Sequence, residues 1–193
     1  MEIAEVLEKI ENSLNAGIIS IPEIMAFINK DRVVRQSELS DPRTSEFFLE
    51  VDYSKSLEQM LAAGGYDRVG NAELLKKFVL PAEVLGMIMT VSAKIFHFEK
   101  RIPSTEAILA IRQAGFRSAN LAELLVLGMV FPDLQTQFPI AAFGSVQLPV
   151  IGQTYVPFLG IGGNKKQRII DLRLFNRDWY EYCRFLAIRT TII

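Results

Sequence analysis

The order of helix-like and strand-like segments is the feature that most constrains the fold of this chain. Two short helical segments stand between a strand at residues 87–95 and four later strand-like runs. Parallel neighbours need a long crossover between them, so strands that follow one another without helices predict antiparallel pairing. The sequence therefore predicts an α+β fold with N-terminal helices, then a strand-helix-helix unit followed by a mostly antiparallel sheet.

Residues 87–95 are typical of a half-buried strand because apolar and polar side chains alternate along them. The apolar positions are Met87, Met89, Val91, Ala93 and Ile95. At Phe96 and Phe98 the apolar side chains move to the even positions. Since a strand has a period of two, this switch predicts a bulge or the end of the strand.

The segment 78–96 is also close to the length of a membrane span. It contains Pro81, Glu83 and Lys94, and each ionisable side chain at the middle of a bilayer would cost about 2.5 kcal/mol or more. The sequence therefore predicts a turn followed by a strand here, and no membrane span.

Capping residues mark the helices of the main domain. The predicted N-cap residues are Ser56, Asn71, Ser104 or Thr105, and Asn120, the last with Glu123 in a capping box. The predicted helices end at Ala63 before two glycines, at Phe78, and before Gly115. After Pro132 the strand-like runs are 139–146, 154–159, 167–175 and 182–189.

The first 30 residues form a separate pattern. Residues 2–15 carry an apolar stripe at helical spacing, and residues 21–28 carry a second one. Residues 31–44 are rich in charges and read as a linker. The sequence predicts a helical N-terminal segment and linker at 1–50 and an α+β domain at 51–193. We expect residues 1–30 to act in oligomerisation or docking.

Charge and composition limit the classes of partner. The chain has 193 residues and a net charge of −1, so no overall field would attract nucleic acid. One His and one Cys cannot supply the nitrogen and sulfur ligands of a zinc site, so we expect no metal centre and no cofactor. An acidic amphipathic start in place of a secretory signal, with no possible internal disulfide, favours a cytoplasmic location.

No group of residues has the spacing of a catalytic set. Cys183 lies in an apolar strand-like run, where a Cys usually packs as a small hydrophobe, so a dyad with His97 is disfavoured. The glycine-rich segment 160–166 lacks the Lys-Ser or Lys-Thr pair of a P-loop and precedes a strand. It is typical of a hairpin turn. We therefore expect a non-catalytic protein.

Several stretches carry a resemblance to known proteins. SLEQMLAAGGYDRV, FPDLQTQFPIAAFGSV and FNRDWYEYCRFLAIR, at 56–69, 131–146 and 175–189, resemble small bacterial proteins of uncharacterised function from metagenomic candidate phyla. The resemblance covers about residues 53–189.

At the level of fold, the order of elements is similar to C-type-lectin-like domains, which include formylglycine-generating enzymes and the variable proteins of diversity-generating retroelements. That similarity implies ligand contacts near the C-terminus, at 171–184. The chain lacks the lectin disulfides, the calcium-binding tripeptides and the paired active-site cysteines. The similarity therefore predicts neither calcium-dependent sugar binding nor that oxidase activity.

The segment 168–189 holds an unusual mixture of aromatic and charged side chains between two apolar runs. Such side chains combine contact area with hydrogen bonding, as recognition surfaces do. The candidate ligand-binding residues are Asp171, Arg173, Phe175, Arg177, Asp178, Trp179, Tyr180, Tyr182 and Arg184. In the alternative interpretation, Trp179 and Tyr182 are core anchors at a corner of the sheet.

Two functional hypotheses follow. In the first, the chain is a binding module that presents this C-terminal surface to a protein or a small ligand. In the second, it is a structural or assembly protein whose N-terminal helices and apolar C-terminus, RTTII, form contacts between subunits.

Overall fold

The computed structural model describes residues 42–43, 45–145, 153–163 and 167–190. The chain divides into two compact units, Met1–Ser40 and Asp41–Ile193, and the description below concerns the second. The helices predicted within residues 1–30 lie outside the described residues. The first strand, β1 (Phe47–Asp52), crosses residue 50.

The described part of the chain contains five α-helices and eight strands. The helices are α1 (Leu57–Ala63), α2 (Ala72–Leu75), α3 (Ser104–Gln113), α4 (Leu121–Val130) and α5 (Leu134–Gln137), with a 3-10 turn at Ala82–Val84. The strands after β1 are β2 (Arg68–Val69), β3 (Ile88–His97), β4 (Phe116–Ser118), β5 (Ile140–Ala141), β6 (Tyr155–Ile161), β7 (Arg168–Leu174) and β8 (Arg184–Arg189).

The strands form one mixed sheet in the order β1-β3-β8-β5-β6-β7-β2, with β4 paired to β8. Among the described strands, five pairings are antiparallel, and two, β5 with β8 and β2 with β7, are parallel. The predicted α+β class is confirmed. No helix within the described ranges is both long enough and apolar enough to cross a membrane.

Local capping explains where the helices begin. The Ser56 hydroxyl accepts a hydrogen bond from the Gln59 backbone N–H, and the Gln59 side chain accepts one from the Ser56 N–H. Asn120 and Glu123 make the same reciprocal pair at the start of α4. Both predicted starts are confirmed, whereas the predicted cap at Ser104 or Thr105 is wrong, because α3 begins at Ser104 with Pro103 as its N-cap. By contrast, α2 ends at Leu75, three residues short of the predicted end, and the Asn71 side chain makes no capping hydrogen bond.

The sheet has a hydrophobic cluster on each face. Leu186 and Ile188 of β8 belong to the cluster that also contains the buried residues of α1 and α4. Phe185 and Ala187, on the opposite face, belong to a second cluster that contains Trp179 and residues of α3. Strand β8 is therefore covered on both sides, which explains its continuous apolar sequence.

The same two-sided packing explains the switch at Phe96. Strand β3 passes through Phe96 in unbroken register with β8, with Phe96 opposite Phe185, and ends at His97. Of the two predicted explanations, a bulge or the end of the strand, the structure shows the end of the strand. No bulge interrupts the pairing of β3 with β8. Phe96 and Phe98 pack against the second cluster because the other face of the sheet is also apolar there.

Candidate functional site

The loop from Phe175 to Cys183 joins β7 to β8 and is anchored by Trp179. The backbone N–H of Trp179 donates to the Ile102 carbonyl at 2.8 Å, and the Ile102 N–H donates to the Trp179 carbonyl at 3.0 Å. The indole N–H donates to Ser104 Oγ at 2.8 Å, and that hydroxyl donates to the Phe175 carbonyl at 2.7 Å. The loop is therefore tied to the start of α3.

Trp179 is a core residue, not a surface residue. Only 1% of it is exposed, and its ring packs edge-on against Phe143 and Phe185, with centroids 5.6 Å apart in each pair. A ligand on the surface cannot contact a side chain this deeply buried. We therefore leave Trp179 out of the candidate surface, because its indole fills the second cluster and satisfies its N–H there.

Cys183 also points into the second cluster. Burial raises the pKa of its thiol, which leaves little thiolate near neutral pH. His97 lies opposite Arg184 in the sheet, but its side chain is exposed, with Nε2 2.8 Å from the Glu181 carbonyl oxygen, whereas the Cys183 side chain is buried. These positions favour structural roles for both residues.

Tyr180 and Tyr182 are the exposed aromatic residues of the loop. They are 40% and 52% exposed, and their rings stack with centroids 5.4 Å apart and planes inclined by 12°. Two guanidinium groups lie by the Tyr180 ring, that of Arg101 at 5.4 Å and that of Arg173 at 5.5 Å. Each cation is attracted by the negative face of the ring, so the four side chains support one another.

The two arginines differ in how their charges are balanced. Arg101 forms an ion pair with Asp178, with 3.1 Å between Nε and Oδ2. Arg173 instead donates to the Asp178 backbone carbonyl at 3.0 Å and lies 5.1 Å from the Trp179 ring. It forms no ion pair with any carboxylate among the described residues, and its buried Nε has no hydrogen-bond partner there. Within the described residues, Arg173 is held by a carbonyl oxygen and two aromatic rings instead of a carboxylate.

Three of the predicted ligand-binding residues mainly make contacts that stabilise the fold. Asp171 accepts from the Asn71 amide at 3.0 Å and from the Leu172 N–H at 2.8 Å, so it holds the turn between β2 and α2. Phe175 packs edge-on against Phe143 in the second cluster. Arg184 donates to loop carbonyls, including that of Tyr182 at 3.1 Å.

The structure thus brings together Arg101, Arg173, Asp178, Tyr180 and Tyr182, which we call the tyrosine–arginine surface. Arg177 is exposed in the turn after β7, and no contact described places its side chain in this group. Arg101 was not among the predicted residues. It precedes α3 in the sequence, and the pairing of Ile102 with Trp179 that brings it to Tyr180 leaves no local sequence signal.

A second group of titratable side chains surrounds the buried carboxylate of Glu123, in the first turn of α4. Glu123 is 0% exposed and accepts hydrogen bonds from the Tyr53 hydroxyl at 2.8 Å and from Arg117 at 2.5 and 3.0 Å. It also accepts from the Asn120 backbone N–H at 2.7 Å. Burial raises the pKa of Tyr53, so its hydroxyl stays protonated and remains a donor. The oxygens of Glu123 are occupied by these donors, which favours a structural role.

Among the described residues, no group of three or more His, Cys, Asp and Glu side chains is placed to hold a metal ion. No protein-family model, curated protein or solved structure matches the chain.

Proposed function

We propose that this chain is a non-catalytic binding module that presents the tyrosine–arginine surface to a protein or small ligand. The observation that carries the proposal is the stacked, half-exposed pair of Tyr180 and Tyr182, flanked by two guanidinium groups. Tyr and Arg are enriched among the residues that dominate binding energy at interfaces.

The surface is already ordered before a partner arrives. The two rings restrain each other, and Trp179 fixes the loop beneath them through its backbone bridge to Ile102. Binding to such a surface costs less side-chain and loop entropy than binding to a mobile one. The Arg173 guanidinium, which contacts a carbonyl oxygen and two rings, favours a partner that brings a carboxylate or phosphate group to this point.

The proposed fold relationship is to C-type-lectin-like domains. It is supported by the order of elements from β3 through α3 and α4 to the strands β5–β8. The position of the exposed tyrosines just before the last strand matches the C-terminal location of ligand contacts that this relationship implies.

The double variant Tyr180→Ala with Tyr182→Ala should lose partner capture. Removing both rings deletes the exposed contact area and the ring faces that hold Arg101 and Arg173, and alanine substitution of interface hot spots costs about 2 kcal/mol or more. We expect a partner recovered by affinity purification to bind the variant at least about tenfold more weakly, measured by calorimetry.

A matched control is Leu109→Ala, which removes an exposed apolar side chain from α3 outside the surface. This control should bind as the unaltered chain does. The tyrosine variant should keep its unfolding free energy within about 1 kcal/mol, because both rings are half exposed. Equal affinities for the tyrosine variant and the unaltered chain would contradict the proposed site.

An assembly protein is the second candidate, and a specific observation favours it. Val79, Leu85, Met87 and Ile88 are all more than half exposed and lie close together in sequence before and at the start of β3. Monomeric proteins rarely expose large contiguous apolar patches. The contacts predicted for residues 1–30 and for the last three residues lie outside the described residues.

The assembly proposal predicts that the particle in solution has at least twice the 21.7 kDa mass of one chain. Leu85→Glu should then reduce the mass measured by light scattering, because a charge in the contact disfavours burial of the patch. Lys77→Glu, a charge change at a polar exposed site nearby, serves as the control. A single-chain mass for the unaltered protein would reject subunit contacts.

A further inference from the structure

The outer edge of strand β7 is only partly paired. Strand β6 pairs with every residue of β7 on one side, whereas β2, the last strand of the sheet, pairs on the other side only with Ile169 and Ile170. Those two residues are buried, while residues 171–174 are half-buried. No described strand pairs with residues 171–174 on this side, and we call them the open edge. The open edge adjoins the tyrosine–arginine surface, since Arg173 belongs to both.

Two leucines direct their backbone groups towards the open edge. The Ile170 carbonyl accepts a hydrogen bond from the Gly70 N–H at 2.8 Å, so the backbone groups of Ile170 face β2. Alternate residues of a strand direct these groups to the same edge. Leu172 and Leu174, two and four residues further on, therefore face the open edge.

Each of these leucines offers one backbone group to a partner. The Leu172 N–H donates to Asp171 Oδ1 at 2.8 Å, and the Leu174 carbonyl accepts from the Arg177 N–H at 3.3 Å. The Leu172 carbonyl and the Leu174 N–H make no hydrogen bond to another described residue. An antiparallel strand needs both groups of one residue, whereas a residue of a parallel strand bonds the carbonyl before its neighbour and the N–H after it. The open edge therefore fits a parallel strand with one residue opposite Arg173.

The residue opposite Arg173 places its side chain on the same face of the sheet as the Arg173 guanidinium. That guanidinium lies 5.1 Å from the Trp179 ring and 5.5 Å from the Tyr180 ring, and it forms no ion pair with a carboxylate of the described residues. Opposite charges on paired strands stabilise the pairing, and guanidinium–carboxylate bonds are stronger than neutral ones. An acidic side chain is therefore favoured at this position.

We propose that a partner protein adds an extended segment to the open edge, parallel to β7 and with an acidic residue opposite Arg173. This inference rests on the proposed function, because it names the class of partner that the tyrosine–arginine surface receives. Main-chain hydrogen bonds to Leu172 and Leu174 supply affinity and the acidic residue supplies selectivity, as is usual when a strand is added to a sheet. The exposed Tyr180 ring adds contact area beside the acid.

The peptide acetyl-Thr-Val-Glu-Val-Thr-amide is the probe that tests this site. Its titration into the full chain should shift the NMR signal of the Leu174 amide, which gains a hydrogen bond. The amide signal of Leu49, buried in β1 at the other end of the sheet, should stay in place.

Two altered peptides separate the charge from the backbone contact. One has Lys in place of Glu, and the other has N-methylated Glu, which keeps the charge but has no donor for the Leu172 carbonyl. Each should bind at least about fivefold more weakly than the first peptide, because it loses the charge pair or the hydrogen bond. This comparison needs no variant, so it does not depend on the folding of an altered chain.

A charge exchange identifies the residue that reads the acid. Arg173→Glu should prefer the Lys peptide to the Glu peptide, whereas Arg112→Glu, a change at an exposed arginine of α3, should keep the preference for Glu. Equal binding of the Glu and Lys peptides would overturn the acidic partner. Equal binding of the N-methylated peptide, or an unmoved Leu174 signal, would overturn strand addition.

The outcome for the proposed function is read separately. If the peptides fail in these ways while Tyr180→Ala with Tyr182→Ala loses the recovered partner, the tyrosine–arginine surface stands and only strand addition is wrong. If the peptides rank as expected while that double variant captures its partner normally, the open edge stands and the tyrosines are not the contact.

Discussion

Replacing Trp179 by Ala is expected to lower the free energy of unfolding by about 3 to 5 kcal/mol, as removal of large aromatic side chains from protein cores does. The indole is 1% exposed and packs against Phe143 and Phe185 in the second cluster. Its loss also removes the donor to Ser104 Oγ. Chemical denaturation followed by circular dichroism measures the change, since the variant has no Trp left for fluorescence.

Two further variants separate packing from hydrogen bonding. Trp179→Phe keeps an aromatic ring in the cluster but removes the N–H donor, so its loss should be smaller than that of the Ala variant. Tyr180→Ala, one residue further on and 40% exposed, should cost far less than either. A loss below about 1 kcal/mol for Trp179→Ala would show that the indole is not a core anchor and would return it to the candidate surface.

The second large effect is expected for Glu123→Ala, because each buried donor that is left without its acceptor costs about 1 to 3 kcal/mol. The change removes the acceptor for the Tyr53 hydroxyl, for Arg117 and for the Asn120 N–H. It also removes half of the capping box that starts α4. Denaturation of the variant measures the loss.

Glu123→Gln is the conservative control, because the amide keeps the shape and one acceptor oxygen but not the charge. It should be less destabilising than Glu123→Ala. Replacing both charged partners by apolar residues, as in Arg117→Met with Glu123→Leu, should recover part of the loss, because the Leu side chain fills the cavity that Ala leaves at the buried position 123. A cost below about 1 kcal/mol for Glu123→Ala would mean that solvent reaches the network and replaces its hydrogen bonds.

The features that sequence predicted well depend on neighbours in the chain. The capping pairs at Ser56 and Asn120 join residues three positions apart, and the alternation along β3 is read directly from its side chains. Arg173, Asp178, Tyr180 and Tyr182, which lie together in the structure, also share one segment of the sequence. Residues that are close in the sequence are therefore sufficient to predict helix starts and strand alternation.

The features that were missed depend on partners far along the chain. Strand β1 is the exception, because the alternation of Phe47, Leu49 and Val51 is local. It was missed because these residues were assigned to the boundary that follows the linker. Trp179 is buried because Ile102 and Ser104 receive its backbone and its indole. The same contact brings Arg101 to Tyr180. No pattern within 168–189 specifies these partners, so the sequence could not show that Trp179 is buried while Tyr182, the other proposed core anchor, is 52% exposed.

Because Trp179 anchors the loop from inside the core, the exposed side chains of the loop can change during evolution without displacing its backbone. Buried and exposed positions are interleaved here, with Trp179 and Cys183 inside and Tyr180 and Tyr182 outside. Descendants of this chain can therefore exchange the outer side chains for others while the inner ones keep the backbone in place. Among related genes, we expect substitutions to accumulate at 180 and 182 and to spare 179, so that new partners are acquired on an unchanged scaffold.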